Sequence, residues 1–125
     1  MISIDKSNAQ PFYEQIVLSV KQNILLGIFE PDEKLPSVRE LANRLMMNPN
    51  TIAKAYKLLE SEGVIMTKKG LGTFISSEQP QDVSQGKMTE WKERLKPIIT
   101  ETKFAHVSAD EVVSWVKELY EEGEA

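Results

Sequence analysis

Apolar residues return at helical spacing near the start of the chain. Phe12, Ile16, Val20 and Ile24, flanked by Tyr13, Val17 and Leu25, give residues 12–26 one apolar face and predict a helix. Pro11 stands where a first-turn proline is tolerated, and Gly27 marks the end. Upstream, Ile2-Ser3-Ile4 alternates and suggests a short strand, and Pro31 to Lys34 forms a turn. Ser37 and Glu40 have the S-x-x-E spacing of a capping box, so a second helix opens at Val38 and runs to Met46. Asn48 before Pro49 is an N-cap with proline at the first helical position, opening a third helix from Pro49 to Glu62, with Gly63 as its stop. Val64–Thr67 and Thr73–Ser76 are β-prone and joined around Gly70 and Gly72, a hairpin signal.

About two residues separate the second and third helices, which forces a sharp turn between them and gives helix-turn-helix geometry. Beyond the hairpin, residues 78–87 carry three Gln with Pro80, Ser84 and Gly86, so they read as a linker. Met88 to Phe104 is helical, with Pro97 expected to kink or break it. Ser108 and Glu111 form a second capping box that opens a last helix through Tyr120, closed by Gly123. The expected fold is mainly α with a small β wing. A winged helix-turn-helix occupies residues 1–77, a linker 78–87 and a helical dimerisation tail 88–125.

The third helix sorts into two faces. Ile52, Ala55, Tyr56 and Leu59 fall on the core side. Asn50, Lys54 and Lys57 fall opposite, with Thr51 and Ala53 beside them and no acid among these five. In a helix-turn-helix the N-terminal residues of the second helix meet base edges. Asn bonds adenine through both amide groups, Lys reaches guanine acceptors, and Ala or Thr methyls meet thymine methyl. Arg39 lies in the first turn of the second helix, where the helix dipole favours acids, so an external anion or base is its expected partner. Lys68 and Lys69 precede the glycine-tipped turn at Gly70 and Gly72, a wing suited to phosphate contact and minor-groove insertion. With the cap residues Ser37 and Asn48, these form the candidate DNA-contacting set: Ser37, Arg39, Asn48, Asn50, Thr51, Lys54, Lys57, Lys68, Lys69, Gly70 and Gly72.

The formal net charge of −4 speaks against nucleic acid until its distribution is seen. From Lys34 to Ser77 seven Lys/Arg face three Glu, a balance of +4; from Glu78 onward six face eleven acids, a balance of −5. Basic charge is therefore concentrated in the helix-turn-helix and wing. The acidic tail still carries Trp91, Leu95, Ile98, Ile99, Val112, Trp115, Val116 and Leu119, too much apolar surface for two helices to cover alone. A second copy of the chain is the economical cover, making a homodimer.

With 41% apolar residues the 125-residue chain can build a core, and with no cysteine it has no disulfide or thiolate metal site, as suits a cytoplasmic protein. No apolar run reaches the ~20 residues of a membrane span, and the N-terminus lacks a secretory signal. His106, the sole histidine, has no metal-ligand or catalytic neighbours, and Gly70-x-Gly72 lacks the strand–turn–helix setting of a nucleotide site. No cofactor, metal or enzymatic constellation is expected, and no residue specifies a small-molecule effector.

Leu35-Pro36-Ser37-Val38-Arg39-Glu40-Leu41-Ala42, Asn50-Thr51-Ile52 and Gly70-Leu71-Gly72-Thr73-Phe74-Ile75 resemble, in order, the N-terminal domain of GntR-family bacterial transcription regulators. The short tail and the Asn48-Pro49-Asn50-Thr51 form resemble the YtrA-like subgroup. The chain departs from many relatives at Pro49 and Ala53, where they carry basic residues. The resemblance implies that Arg39 contacts DNA and that the wing tip at Gly72 enters the minor groove. It also implies a repressor that binds a palindromic operator in double-stranded DNA as a dimer. The alternative is a winged-helix protein-interaction adaptor that binds no DNA.

Overall fold

The computed structural model describes residues 1–122, so the stop expected at Gly123 lies outside the described residues. The chain divides into two units, Met1–Pro80 and Gln81–Ala125. The first contains α1 (Phe12–Leu25), α2 (Val38–Leu45), α3 (Pro49–Ser61), β1 (Ile65–Lys68) and β2 (Gly72–Ile75); the second contains α4 (Gln85–Phe104) and α5 (Ala109–Glu121).

In the first unit the caps act as expected. Ser37 Oγ accepts from the Glu40 N–H at 3.0 Å while Glu40 Oε1 accepts from the Ser37 N–H at 3.2 Å, closing the box that starts α2. Asn48 Oδ1 accepts from the Asn50 N–H at 2.8 Å, and Pro49 takes the first position of α3. Between the helices Met46 adopts the left-handed conformation (φ 56°), which ends α2 and turns the chain. Its side chain is 83% exposed; Met47 is the methionine that packs on the core. The four predicted core residues of α3 are all buried and meet Ile16 and Val20 of α1 and Leu41 of α2. Lys21 and Glu62 tie the far ends of α1 and α3 at 2.7 Å, a partly exposed pair of modest energetic weight.

Residues 2–4 do not form a strand. Ile2 is buried, and the backbone is pinned to side chains of α1: the Ser3 N–H donates to Ser19 Oγ at 3.0 Å, the Asp5 N–H to Gln15 Oε1 at 2.7 Å, and Asn23 Nδ2 to the Met1 carbonyl at 2.9 Å. A helix supplies the partners that a strand would have needed from a sheet.

The wing is an antiparallel pair with Ile65 opposite Ile75 and Lys68 opposite Gly72. The first strand starts one residue later than expected because the Val64 N–H closes α3 on the Leu59 carbonyl at 2.9 Å. The segment expected to be only a turn also lines the other edge of β2. The Leu35 N–H donates to the Thr73 carbonyl and the Ile75 N–H to the Glu33 carbonyl, both at 2.8 Å, with Lys34 bridging Phe74. This bracing seats the wing on the start of α2.

In the second unit α4 starts at Gln85, inside the expected linker, because Ser84 Oγ accepts from the Lys87 N–H at 3.1 Å. Pro97 neither ends nor splits α4. The carbonyl of Glu93, which the proline leaves without its helical donor, is on an exposed residue and open to water. His106 takes φ 61° at the turn between the helices. At α5 only half of the expected capping box forms: Ser108 Oγ accepts from the Glu111 N–H, but the Glu111 carboxylate accepts from Trp115 Nε1 at 3.3 Å. Of the expected tail contacts Val112 is half-buried, and Trp91, Leu95, Ile98, Ile99, Trp115, Val116 and Leu119 are exposed.

Candidate nucleic-acid interface

The start of α3 turns Asn50, Lys54 and Lys57 outward as exposed residues, with Thr51 half-buried and Ala53 exposed, while the opposite face is sealed in the core. Asn50 uses its backbone N–H in the cap, and its side-chain amide makes no hydrogen bond among the described residues. Asn48 spends its Oδ1 on the cap and keeps Nδ2 as a donor. Ser37 spends an oxygen lone pair on the Glu40 N–H, and its O–H is engaged with the Glu40 carboxylate. Asn48 thus retains a donor that a phosphate oxygen can use.

Arg39 is exposed and makes no ion pair or side-chain hydrogen bond among the described residues. The acid beside it is otherwise engaged. The Ser37 backbone N–H, then its hydroxyl, holds the Glu40 carboxyl below the usual carboxylate range. Glu40 stays an anion serving the helix cap and leaves the guanidinium free.

One acid does reach this side of α3. Glu60 lies one turn beyond Lys57, and its carboxylate accepts from Thr67 Oγ1 at 2.8 Å, pinning β1 to the C-terminal half of the helix. With Lys57, Thr67 and Thr73 it lines an open depression between α3 and the wing.

On the wing, Lys69 is exposed and Lys68 is half-buried, its ammonium 4.6 Å from the centroid of the Phe74 ring. Gly70 (φ 77°) has open space where a side chain would stand, so only its backbone conformation demands glycine. Gly72 (φ 125°) differs. A Cβ there would lie 2.8 Å from Lys34 Cε, so Lys34 occupies the space that the glycine leaves. Lys34 and Tyr13 are the residues that the sequence reading missed. Lys34 reads as part of a turn, and Tyr13 reads as one more apolar position of α1. The ammonium of Lys54 lies over the Tyr13 ring, 4.0 Å from its centroid.

Among the described residues no group of His, Asp or Glu is placed to hold a metal ion, and no helix is long and apolar enough to cross a membrane.

Residues 12–75 match the family model described as bacterial regulatory proteins, gntR family. The chain belongs to the GntR family. As a member it is a DNA-binding transcription regulator, and the family is regulatory rather than enzymatic. The matched span runs from the first residue of α1 to the last of β2, the winged helix-turn-helix itself.

Over 119 residues the GntR chain is 47% identical to the HTH-type transcriptional repressor YtrA of Bacillus subtilis, covering 95% of this chain and 92% of that one. Its structure is similar to that of a transcriptional antiterminator from Listeria monocytogenes, with a TM-score of 0.87, 36% identity and coverage of 98% and 92% of the two chains. It is also similar to the DNA-binding domain of AraR in complex with operator ORE1, with a TM-score of 0.52, 29% identity and coverage of 61% and 93%.

Proposed function

We propose that this GntR protein is a cytoplasmic repressor that binds a palindromic operator in double-stranded DNA as a homodimer. In this assignment residues 1–77 are the DNA-binding domain, 78–84 join the two parts, and the helices from 85 onward are the dimerisation tail. The observation that carries it is the divided α3. One face is buried, and the other presents Asn50, Lys54 and Lys57, while Arg39 stands exposed and, among the described residues, unpaired at the start of α2. Such a face meets base edges in the major groove. Asn50, Thr51 and Arg39 are assigned to bases and nearby phosphate. Lys54, Lys57, Ser37 and Asn48 are assigned to phosphate, and Lys68, Lys69, Gly70 and Gly72 to the wing contact.

Support for the repressor role comes from the similarity to YtrA over nearly the whole of both chains. Support for the dimer comes from the exposed Trp91, Leu95, Ile98, Ile99, Trp115, Val116 and Leu119. Two linked recognition helices about one helical turn apart read a palindrome.

The test is selection of duplexes from a randomised library by the full-length protein, followed by mobility shift across a salt series. A palindromic consensus bound with a steep salt dependence is expected. Recovery of no preferred sequence, with only weak binding to every duplex, overturns the assignment in favour of a protein-interaction adaptor.

A further inference from the structure

Tyr13 and Lys54 belong to different helices and, by spacing, to different faces; the structure brings them together at the start of α3. With Phe12, Asn50 and Thr51 they line a shallow depression where the first turns of α1 and α3 meet. The Lys54 ammonium stands 4.0 Å from the centroid of the Tyr13 ring, over its face. That face is the negative part of the ring quadrupole and attracts a cation. Among the described residues no carboxylate pairs with Lys54. Glu14, the acid beside Tyr13 in the chain, accepts from the Tyr13 hydroxyl at 3.3 Å instead.

The difference between a ring and an acid as a holder matters. A carboxylate would cancel the lysine's charge, whereas an aromatic face restrains the ammonium and leaves its charge intact. A long, rotamer-rich side chain held in place loses less freedom when an anion arrives. Drawn toward α1, the ammonium sits over the Tyr13 ring in the depression that Asn50 also lines.

We propose that Tyr13 is a positioning residue that holds Lys54 at the α1–α3 seam as a phosphate contact, leaving base discrimination on α3 to Asn50 and Thr51. This rests on the assignment of α3 as the DNA-facing helix. Phosphate contacts set register and affinity without carrying sequence information, and an ammonium restrained on a ring face with its charge intact is suited to that task.

The full-length protein is tested on the duplex it selects from a random library and on an unrelated duplex of equal length. Lys54→Met weakens binding to both alike and lowers the salt slope by about one. Asn50→Ala reduces the preference between them. Tyr13→Phe binds as the native protein does. Tyr13→Leu, and pentafluorophenylalanine at the same position, weaken binding about two- to five-fold, the size of an exposed cation–π contact. The fluorinated ring keeps the shape and removes the negative face, so the test survives if the leucine variant folds poorly. In a Lys54→Met background the Tyr13 losses disappear. Losses that persist without Lys54, or a fluorinated ring that binds normally, overturn the positioning role. A Lys54→Met variant that changes base preference overturns the division of labour. Asn50→Ala and Lys54→Met both binding normally would instead remove the assignment of α3 itself.

Discussion

The Tyr56 hydroxyl donates to the Pro36 carbonyl at 2.7 Å, tying the middle of α3 to the residue just before the cap of α2. This bond spans the helix-turn-helix and fixes how the recognition helix leans on its partner. Tyr56→Phe leaves the carbonyl without its donor and lowers stability by about 1–2 kcal/mol, read as a shifted urea midpoint with an unchanged slope. Burial pushes the Tyr56 phenol well above its ordinary range. A group raised in the folded state contributes its stability below the unfolded value and loses it as pH rises from there. The gap between native and variant therefore narrows above about pH 10. A constant gap from neutral to strongly alkaline pH would show that the phenol does not titrate with unfolding.

The reciprocal bonds between Ser37 and Glu40 give a second prediction. Ser37→Ala lowers stability by about 0.5–2 kcal/mol. It also removes the hydroxyl that helps hold the Glu40 carboxyl below the usual range. A depressed carboxyl stabilises above its unfolded value and loses that contribution as pH falls through the folded one. The variant's acid unfolding curve is correspondingly flatter below about pH 4.3, the ordinary glutamate value. Parallel curves for native and variant would contradict the cap's electrostatic part.

Arg39, unpaired within the described fold, supplies a third. Arg39→Ala is expected to unfold as the native protein does and to bind the operator about 1–3 kcal/mol more weakly. Unchanged affinity in a folded variant removes Arg39 from the interface.

Gly72 supplies a fourth. Its φ of 125° and the contact with Lys34 make Gly72→Ala costly by about 1–3 kcal/mol. Part of that cost is the collision with Lys34, so Lys34→Ala in the same chain recovers some of it. If it recovers none, backbone conformation alone requires the glycine.

The tail supplies the last. Gln79 Nε2 donates to the Val64 carbonyl at 3.1 Å and Pro80 lies against Gly63, so truncation belongs after Pro80 rather than after Ser77. The shortened chain is expected to run as a monomer by light scattering. It binds a palindrome at least ~100-fold more weakly, since linked half-site binding is lost. A full-length protein that is monomeric at micromolar concentration removes the premise.

The elements of the first unit follow from local chemistry legible in the chain. Ser37 and Asn48 start helices through bonds to residues two or three positions away, Pro49 suits the first helical position by its fixed φ, and Ile52, Ala55, Tyr56 and Leu59 share a face because of the helical repeat. Such effects need no knowledge of distant partners. What tertiary structure decided is where long-range partners compete with local preference. Ile2 to Ile4 alternates like a strand, yet Ser19, Gln15 and Asn23 capture the nearby backbone. Lys34 reads as a turn residue, yet β2 recruits its segment as an edge and Gly72 makes room for its side chain. Tyr13 reads as an apolar position of α1 and does pack against the core, yet its ring also lies beneath a lysine 41 positions away. Spacing reveals which face a side chain occupies on its own helix; only the packing of one helix against another determines which side chain it meets.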